Sequence, residues 1–319
     1  MRLRTWKHKI PLLLAAFAVL LGIAVAQAEP VQQFSFQVTN IKSGGRFTLL
    51  FNSHTFDTTG AVPPPITSNY FRIPAGATIP KVFRTKTYWC NGQALRSALD
   101  NRPNGQGFAD RVANLKPFIR SLAKSRDRSD RAARALAQTC ERSRIGGGTV
   151  MVDARNYKVA VLKDLVRGKF SMFMAKPTVP GGVAGFVVMG AADTSAPIVK
   201  ANPVIAGVHV ALNANFVNDP SPDGLYGYKL MLPTGPINGI NVSLAEINAK
   251  ISGLTLLKGA CLARNHRGKC TRKQKKTAFW FTQPKCPASG LITFQAFFGY
   301  APPTPSITKT LTLACPKFS

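Results

Sequence analysis

Apolar and polar residues alternate along several short stretches of this chain, as expected for β-strands with one buried face. In residues 33–41, Phe34 and Phe36 alternate with polar residues, and residues 46–52 repeat the pattern. The Ser-Gly-Gly sequence at 43–45 between them is typical of a turn. We therefore predict that the two stretches form a β-hairpin.

The same alternation returns in the second half of the chain, where glycine and proline separate the stretches. The predicted strands there cover residues 149–153, 158–162, 169–174, 183–189, 204–212, 226–232 and 242–256. Residues 292–298 and 307–313 predict a last pair of strands. Many short strands with such turns favour a mainly β protein of the antiparallel β-sandwich type, which is the fold class we predict.

Between Cys90 and Cys140 the apolar period changes from two to about 3.6, so residues 91–139 predict a helical insertion in the β-protein. A further strand is expected to end at Trp89 and Cys90. The triple glycine at 146–148 is expected to form the turn that closes the insertion.

Three helices are expected within the insertion. The first has a short apolar face from Ala94 to Leu99, and the second has a longer one from Phe108 to Leu122. Pro117 should kink the second helix, because proline removes a helix hydrogen bond.

The third helix is expected over residues 129–139 and is rich in alanine. Asp127 and Asp130 stand four residues before Arg131 and Arg134, which is the favourable direction for helix ion pairs. We therefore expect these acids to neutralise part of the basic side of the helix.

Six cysteines follow residue 28 and suggest disulfide bonds, since exported proteins fold in an oxidising compartment. Sequence order favours three pairings, because each brackets a separate segment: Cys90 with Cys140, Cys261 with Cys270, and Cys286 with Cys315. Free or crossed cysteines are the alternative, and order alone does not exclude them. The first pair closes the longest loop, so we expect it to stabilise the fold most, by about 4 kcal/mol.

The N-terminus has the layout of a secretory signal peptide. Basic residues within Met1–Lys9 precede an apolar run at 10–26, which closes in Ala-Gln-Ala at 26–28. An uncleaved membrane anchor is the alternative, because the apolar run could nearly span a bilayer. The Ala-x-Ala ending favours cleavage, so we predict a secreted, extracellular protein.

We divide the chain into a signal peptide (1–28), a β-domain with the helical insertion (29–257) and a C-terminal β segment (258–319). The mature part is long enough to bury a substantial core. Whether it forms one β-domain or two stays open at this point.

The chain is strongly basic, with 42 Lys and Arg against 13 Asp and Glu. The first 28 residues hold four of the basic residues and no acid, so the net charge of the mature chain is +25. The densest cluster lies in residues 258–276, called the basic segment below, which contain no acid. Its cations are Lys258, Arg264, Arg267, Lys269, Arg272, Lys273, Lys275 and Lys276.

A cluster of cations held in place can bind anionic polymers through counterion release. The expected partners are anionic envelope polymers or lipid head groups. Nucleic acid is a poor candidate, because an exported protein seldom meets it and aromatic residues are not interleaved with these cations. A solvated loop that keeps the protein soluble is the alternative interpretation.

Motifs of enzymes are few in this chain. There is no Gly-x-Ser-x-Gly elbow, no His-Glu-x-x-His zinc motif and no phosphate-binding Gly-Lys-Ser or Gly-Lys-Thr loop. Ser121 and Lys124 fit a Ser-x-x-Lys pattern, but no Lys-Thr-Gly accompanies it, so chance explains the match better. We expect no cofactor and no metal, and we assign no catalytic residue.

The mature chain has three histidines, His54, His209 and His266. A packed or solvated role is expected for His209, which alternates with two valines on a predicted strand. Residues 218–224 could offer oxygen atoms to calcium, but Pro and Asp-Gly favour a simple turn there.

The pattern of the chain as a whole resembles that of known proteins, and three stretches suggest this: Cys140 to Val150, Tyr226 to Leu230, and the ending from Cys286-Pro287 through Phe294 to Cys315. The chain resembles a group of uncharacterised secreted proteins of high-GC Gram-positive bacteria. The resemblance covers most of the mature chain and implies no activity. The basic segment is an addition to that pattern.

Export and the basic segment together lead us to hypothesise a binding or structural role at the cell envelope rather than an enzyme. The alternative is a secreted hydrolase whose site is assembled from residues far apart in sequence. A pocket that brings two acids, or an acid and a histidine, within hydrogen-bond reach would favour the hydrolase. A scaffold with neither a pocket nor salt-sensitive binding is the third hypothesis.

Overall fold

The computed structural model describes most of the chain after residue 29. The described residues are 30–42, 46–84, 86–102, 107–153, 155, 165–193, 209–232, 234, 243–252, 254–266, 268, 270–278, 282–283 and 285–315. The predicted signal peptide and the predicted strand at 158–162 lie outside them.

The described residues form thirteen strands and four α-helices. The strands are β1 (Pro30–Lys42), β2 (Arg46–Asp57), β3 (Ile66–Pro74), β4 (Arg144–Asp153), β5 (Leu165–Ala175), β6 (Gly182–Ala192), β7 (His209–Asn218), β8 (Tyr226–Leu232), β9 (Ser243–Ile251), β10 (Leu254–Arg264), β11 (Cys270–Ala278), β12 (Leu291–Tyr300) and β13 (Ile307–Ala314). The helices are α1 (Gly92–Asp100), α2 (Phe108–Ala113), α3 (Lys116–Ser121) and α4 (Arg128–Arg142), preceded by short 3-10 helices at Lys81–Arg84 and Lys86–Tyr88.

Eleven strands form one antiparallel, nearly closed sheet in the order β1-β2-β9-β4-β5-β6-β7-β8-β3-β12-β13. Strands from its two ends approach each other. The ring centroid of Phe34 in β1 lies 5.7 Å from that of Phe71 in β3 and 6.4 Å from that of Phe298 in β12. The predicted fold class is confirmed, and the layers of the predicted sandwich are parts of one sheet that curls around a shared core.

The predicted hairpin and the predicted C-terminal strand pair are both present. Phe36 of β1 pairs with Phe51 of β2, and Phe294 of β12 pairs with Leu311 of β13. Because β12 also pairs with β3, the C-terminal strands complete the same sheet as the preceding ones. The boundary that we drew between residues 257 and 258 lies within β10.

Phenylalanine fills the inside of the sheet. Phe47, Phe186, Phe216, Phe294 and Phe298 are each at most 1 % exposed. Their positions follow from the period of two in a strand, which sends every second side chain inward. Burying each of these rings contributes about 1.5–3 kcal/mol relative to an exposed position.

The helical insertion packs on the outer face of β5, β6 and β7. Leu99 of α1 and Phe108 of α2 are buried in one cluster with Phe173 of β5 and Val187 of β6. These strands therefore bury both faces, which explains the uninterrupted apolar run at the end of β5.

Two of the three expected disulfides are confirmed. Cys90–Cys140 closes the helical insertion across a sequence separation of 50, and Cys286–Cys315 ties the ends of β12 and β13 across 29. Cys261 and Cys270 belong to β10 and β11, and their side chains lie outside the described part.

The predicted kinked helix from Phe108 to Leu122 is wrong, because the chain forms two helices there. Asn114 is extended and ends α2. Pro117 lies in the first turn of α3, where a missing backbone N–H costs no helix hydrogen bond. The proline therefore begins a helix.

We predicted a turn at the triple glycine 146–148, but these residues belong to the first half of β4. A Cβ atom on Gly148 would lie 1.8 Å from the carbonyl oxygen of Asn248, and one on Gly146 would lie 2.3 Å from that of Lys250. The glycines let β9 approach β4 more closely than any side chain would allow.

The prediction of a strand that ends at Trp89 and Cys90 is also wrong. β3 ends at Pro74, and two 3-10 helices occupy the approach to Cys90. A backbone hydrogen bond of 2.7 Å, from the N–H of Cys90 to the carbonyl oxygen of Met174, joins this segment to β5. The disulfide is thereby held against the sheet.

Candidate functional site

The basic segment forms a two-stranded antiparallel ribbon of β10 and β11, separate from the large sheet. Lys258 pairs with Lys275, Cys261 with Lys273, and Ala263 with Arg272. Six of the eight predicted site residues are thus carried on two paired strands: Lys258, Arg264, Arg272, Lys273, Lys275 and Lys276. Arg267 and Lys269 lie outside the described residues.

The ribbon leaves the sheet beside the base of the helical insertion. β9 ends at Ile251, which pairs with Gly146 near the start of β4, and α4 ends directly before β4. β10 contacts both β4 and α4. The two most basic parts of the described chain therefore arise at the same end of the sheet.

The helical insertion adds a second set of cations. Several of them are exposed and form no ion pair with another described residue, among them Lys116, Arg120, Lys124, Arg126 and Arg128. These cations can serve as a control for those of the basic segment, because they are exposed to solvent and lie in the helical insertion rather than on the ribbon.

The predicted ion pairs within α4 are wrong. Asp127 caps the helix by accepting the backbone N–H of Ser129 at 2.7 Å, and Asp130 accepts Arg102 Nε at 2.7 Å. The Ser129 hydroxyl also donates to Asp127, at 2.5 Å, and this bond does most to lower the pKa of Asp127; the hydrogen bond from Arg102 lowers the pKa of Asp130. Because both acids bind other partners, neither of them forms an ion pair with Arg131.

His209 forms an acid–histidine pair with Asp100. The two side chains are 2.6 Å apart, and the ring of Phe108 stacks on His209 with centroids 3.8 Å apart. No described serine, threonine or cysteine side chain hydrogen-bonds to His209. The pair joins α1 and α2 to β7, which agrees with the packed role that we expected.

The other two histidines are exposed and apart from this pair. The ring of His54, on the outer face of β2, lies 5.1 Å from that of Phe56. His266 lies in the turn of the ribbon, where the N–H of Gly268 donates to the carbonyl oxygen of Asn265 at 2.9 Å.

The acidic stretch at 218–224 is a turn. Gly224 has a positive φ of 70°, and Asp223 accepts the backbone N–H of Leu225 at 3.0 Å. Asp219 forms an ion pair with Arg72 at 2.8 Å. These contacts use the carboxylates that calcium would need, so the turn interpretation accounts for the sequence.

Ser121 of the Ser-x-x-Lys match donates its hydroxyl to the carbonyl oxygen of Phe118 at 2.8 Å, at the end of α3. It is an exposed helix-end residue. In the parts of the chain that the structure describes, no three His, Cys, Asp or Glu side chains converge where a metal ion could bind. Within the same parts, no helix is both long and apolar enough to cross a bilayer.

Sequence analysis missed a groove on the outer face of β1, β2, β9 and β4. It is open to solvent and has a volume of about 370 Å³. Its polar side chains are Ser35, Gln37, Asn52, Thr149, Asn248 and Lys250. Alternation marks each of them as outward-facing, but nothing local indicates that β9 lies between β2 and β4.

Comparison with known proteins adds no identification, because no family model, no curated protein and no solved structure matches this chain.

Proposed function

We propose that the mature protein is exported and binds anionic polymers of the cell envelope through the basic segment. The observation that carries this proposal is the pairing of β10 with β11, which sets Lys258 beside Lys275 on a ribbon without acidic residues. Strands lie about 4.8 Å apart and rise about 3.3 Å per residue, so the cations are dense enough to face successive charges of a polyanion.

Export is supported by the basic, apolar and Ala-x-Ala regions of the N-terminus and by the two disulfides, which are typical of proteins outside the cytoplasm. The mature charge of +25 adds a long-range attraction to any anionic surface. Asp100 and His209 do lie within the hydrogen-bond reach that the hydrolase alternative asks for, but Phe108 stacks on the His209 ring and the pair forms a packing contact between the helices and β7.

Co-sedimentation with cell-envelope fractions across a salt series tests the proposal. The variant of the basic segment changes Arg264, Arg267, Lys269, Arg272 and Lys273 to Ser. We expect binding by the unmodified protein to weaken as salt rises and to be lost in the variant, since counterion release drives it.

The matched control changes Lys116, Arg120, Lys124, Arg126 and Arg128 to Ser, which removes the same charge from exposed positions of the helical insertion. The control should retain most of the binding. Equal loss in both variants would show that net charge alone drives association, and undiminished binding by the first variant would refute the role of the basic segment. Anionic vesicles without polymer identify lipid head groups as the ligand if they bind equally well.

A further inference from the structure

The groove on the outer face of β1, β2, β9 and β4 has a row of aligned polar residues across it. Ser35 pairs with Asn52, Asn52 with Asn248, and Asn248 with Thr149. The register therefore places one hydroxyl or amide on each of four neighbouring strands, about 4.8 Å apart.

Hydrogen bonds orient the amides in this row. Asn52 Nδ2 donates to Asn248 Oδ1, and Asn248 Nδ2 donates to Glu246 Oε1. An amide bears two donor hydrogens and two acceptor lone pairs, so each side chain keeps capacity for a ligand. The row is thus ordered before anything binds, which lowers the entropic cost of binding.

The floor of the groove is open because two of the three strand glycines line it, Gly147 and Gly148. A Cβ atom at Gly147 would lie 2.6 Å from the carbonyl oxygen of Phe170, so the strands as they are packed here leave no room for a side chain. The floor is therefore backbone and CH groups, with the polar row beside it.

This lining favours a ligand rich in hydroxyl groups. Lys250 is the only charged residue among the lining side chains, and the others are amides, hydroxyls and apolar groups. Amides and hydroxyls both donate and accept, as sugar hydroxyls do, and the glycine floor suits the C–H face of a sugar ring. An added peptide strand does not fit here, because β2, β9 and β4 already pair on both sides.

β9, one of the strands that line the groove, is followed two residues later by β10, which leads into the basic segment. β9 carries Asn248 and Lys250 along the groove and leads, after Ile251, into β10. A chain that lies in the groove would reach the ribbon at the Lys250 end.

We propose that this groove binds a short stretch of saccharide. This proposal rests on the proposed function and makes it more specific. The polymer that the basic segment binds is an acidic glycan, with its sugar rings in the groove and its anionic groups on the ribbon.

The test uses two uncharged oligosaccharides, a tetramer of N-acetylglucosamine and cellotetraose. Their binding to the mature protein is measured by NMR titration at about 1 M salt, where the Debye length is about 3 Å and long-range attraction to the cations is screened. We expect at least one of them to bind the unmodified protein and, equally, the five-cation variant of the basic segment. The Asn52→Ala, Asn248→Ala double variant should bind about tenfold more weakly, since two oriented amides are lost.

A Thr310→Ala, Thr312→Ala variant is the matched control, because both threonines are exposed on β13 and neither lines the groove. It should bind as the unmodified protein does. The saccharide site would be refuted if neither oligosaccharide bound, or if the groove variant bound as tightly as the unmodified protein. Neither result would bear on the salt-dependent envelope binding of the basic segment, which the co-sedimentation experiment tests separately.

Discussion

At the scale of single residues, the buried amide of Gln32 organises the polar side chains inside one end of the sheet. Gln32 is 3 % exposed; its Nε2 donates to Ser53 Oγ at 2.6 Å, and its Oε1 accepts the Thr55 hydroxyl at 2.6 Å. The hydroxyl of Tyr300 donates to the same Oε1 at 3.4 Å. Buried polar groups cost stability unless they are paired, so these residues depend on one another.

Tyr300 gives a prediction on pH dependence. Burial raises the pKa of its phenol from 10.0 to about 12. The unfolded chain therefore loses this proton first, and the stabilising contribution is complete below pH 10 and falls as the pH rises from about 10 to about 12. The difference in tyrosinate absorbance between the unmodified protein and Tyr300→Phe should titrate near 12. A difference that titrates near 10 would contradict the buried position of the phenol.

At the scale of elements, the local pattern was a good guide wherever one face of a strand is buried. The hairpins β1–β2 and β12–β13 and the strand at 226–232 match the predictions, because a period of two is a local property. The sequence-based predictions were wrong where contacts between distant parts of the chain determine the local structure. Pro117 begins a helix, and the glycines at 146–148 serve the approach of β9, a strand about a hundred residues later.

The close approach of β9 to β4 predicts a large effect of one methyl group. In Gly148→Ala, the new Cβ would lie 1.8 Å from the carbonyl oxygen of Asn248, so the two strands must move apart. We expect the free energy of unfolding to fall by about 3 kcal/mol or more, measured by denaturant unfolding with the disulfides intact.

Gly227→Ala in β8 is the control for this prediction. The nearest atom to its added Cβ, the Cα of Ala75, is 3.6 Å away, an ordinary van der Waals distance. The control should unfold within about 0.5 kcal/mol of the unmodified protein. If both glycine variants unfolded at the same denaturant concentration, the account of the triple glycine would be wrong.

At the scale of the whole molecule, the sequence predicts a mainly β protein but not the order of its strands. Pairs such as Leu50 with Lys250 and Phe297 with Tyr70 join residues about 200 positions apart. The groove depends on the pairing of β9 with β2 and with β4, which are about 200 and 100 positions away in sequence, and therefore could not be predicted. The basic segment could, because its cations are contiguous in sequence and need no distant contact to cluster.

The distribution of cations on the molecule leads to the central claim, that the basic segment rather than net charge binds the anionic polymer. The most direct measurement is the salt dependence of the association constant for poly(glycerol phosphate), for the unmodified protein and both five-cation variants. This polymer has no sugar rings, so it tests the basic segment apart from the proposed saccharide groove. Counterion release contributes about 0.7–0.9 to the slope of log K against log salt per neutralised phosphate in nucleic acids. Serine at the five positions of the basic segment should thus reduce the slope by about 4, and serine at the five helical positions by less than about 1. Equal slopes for the two variants would contradict the claim.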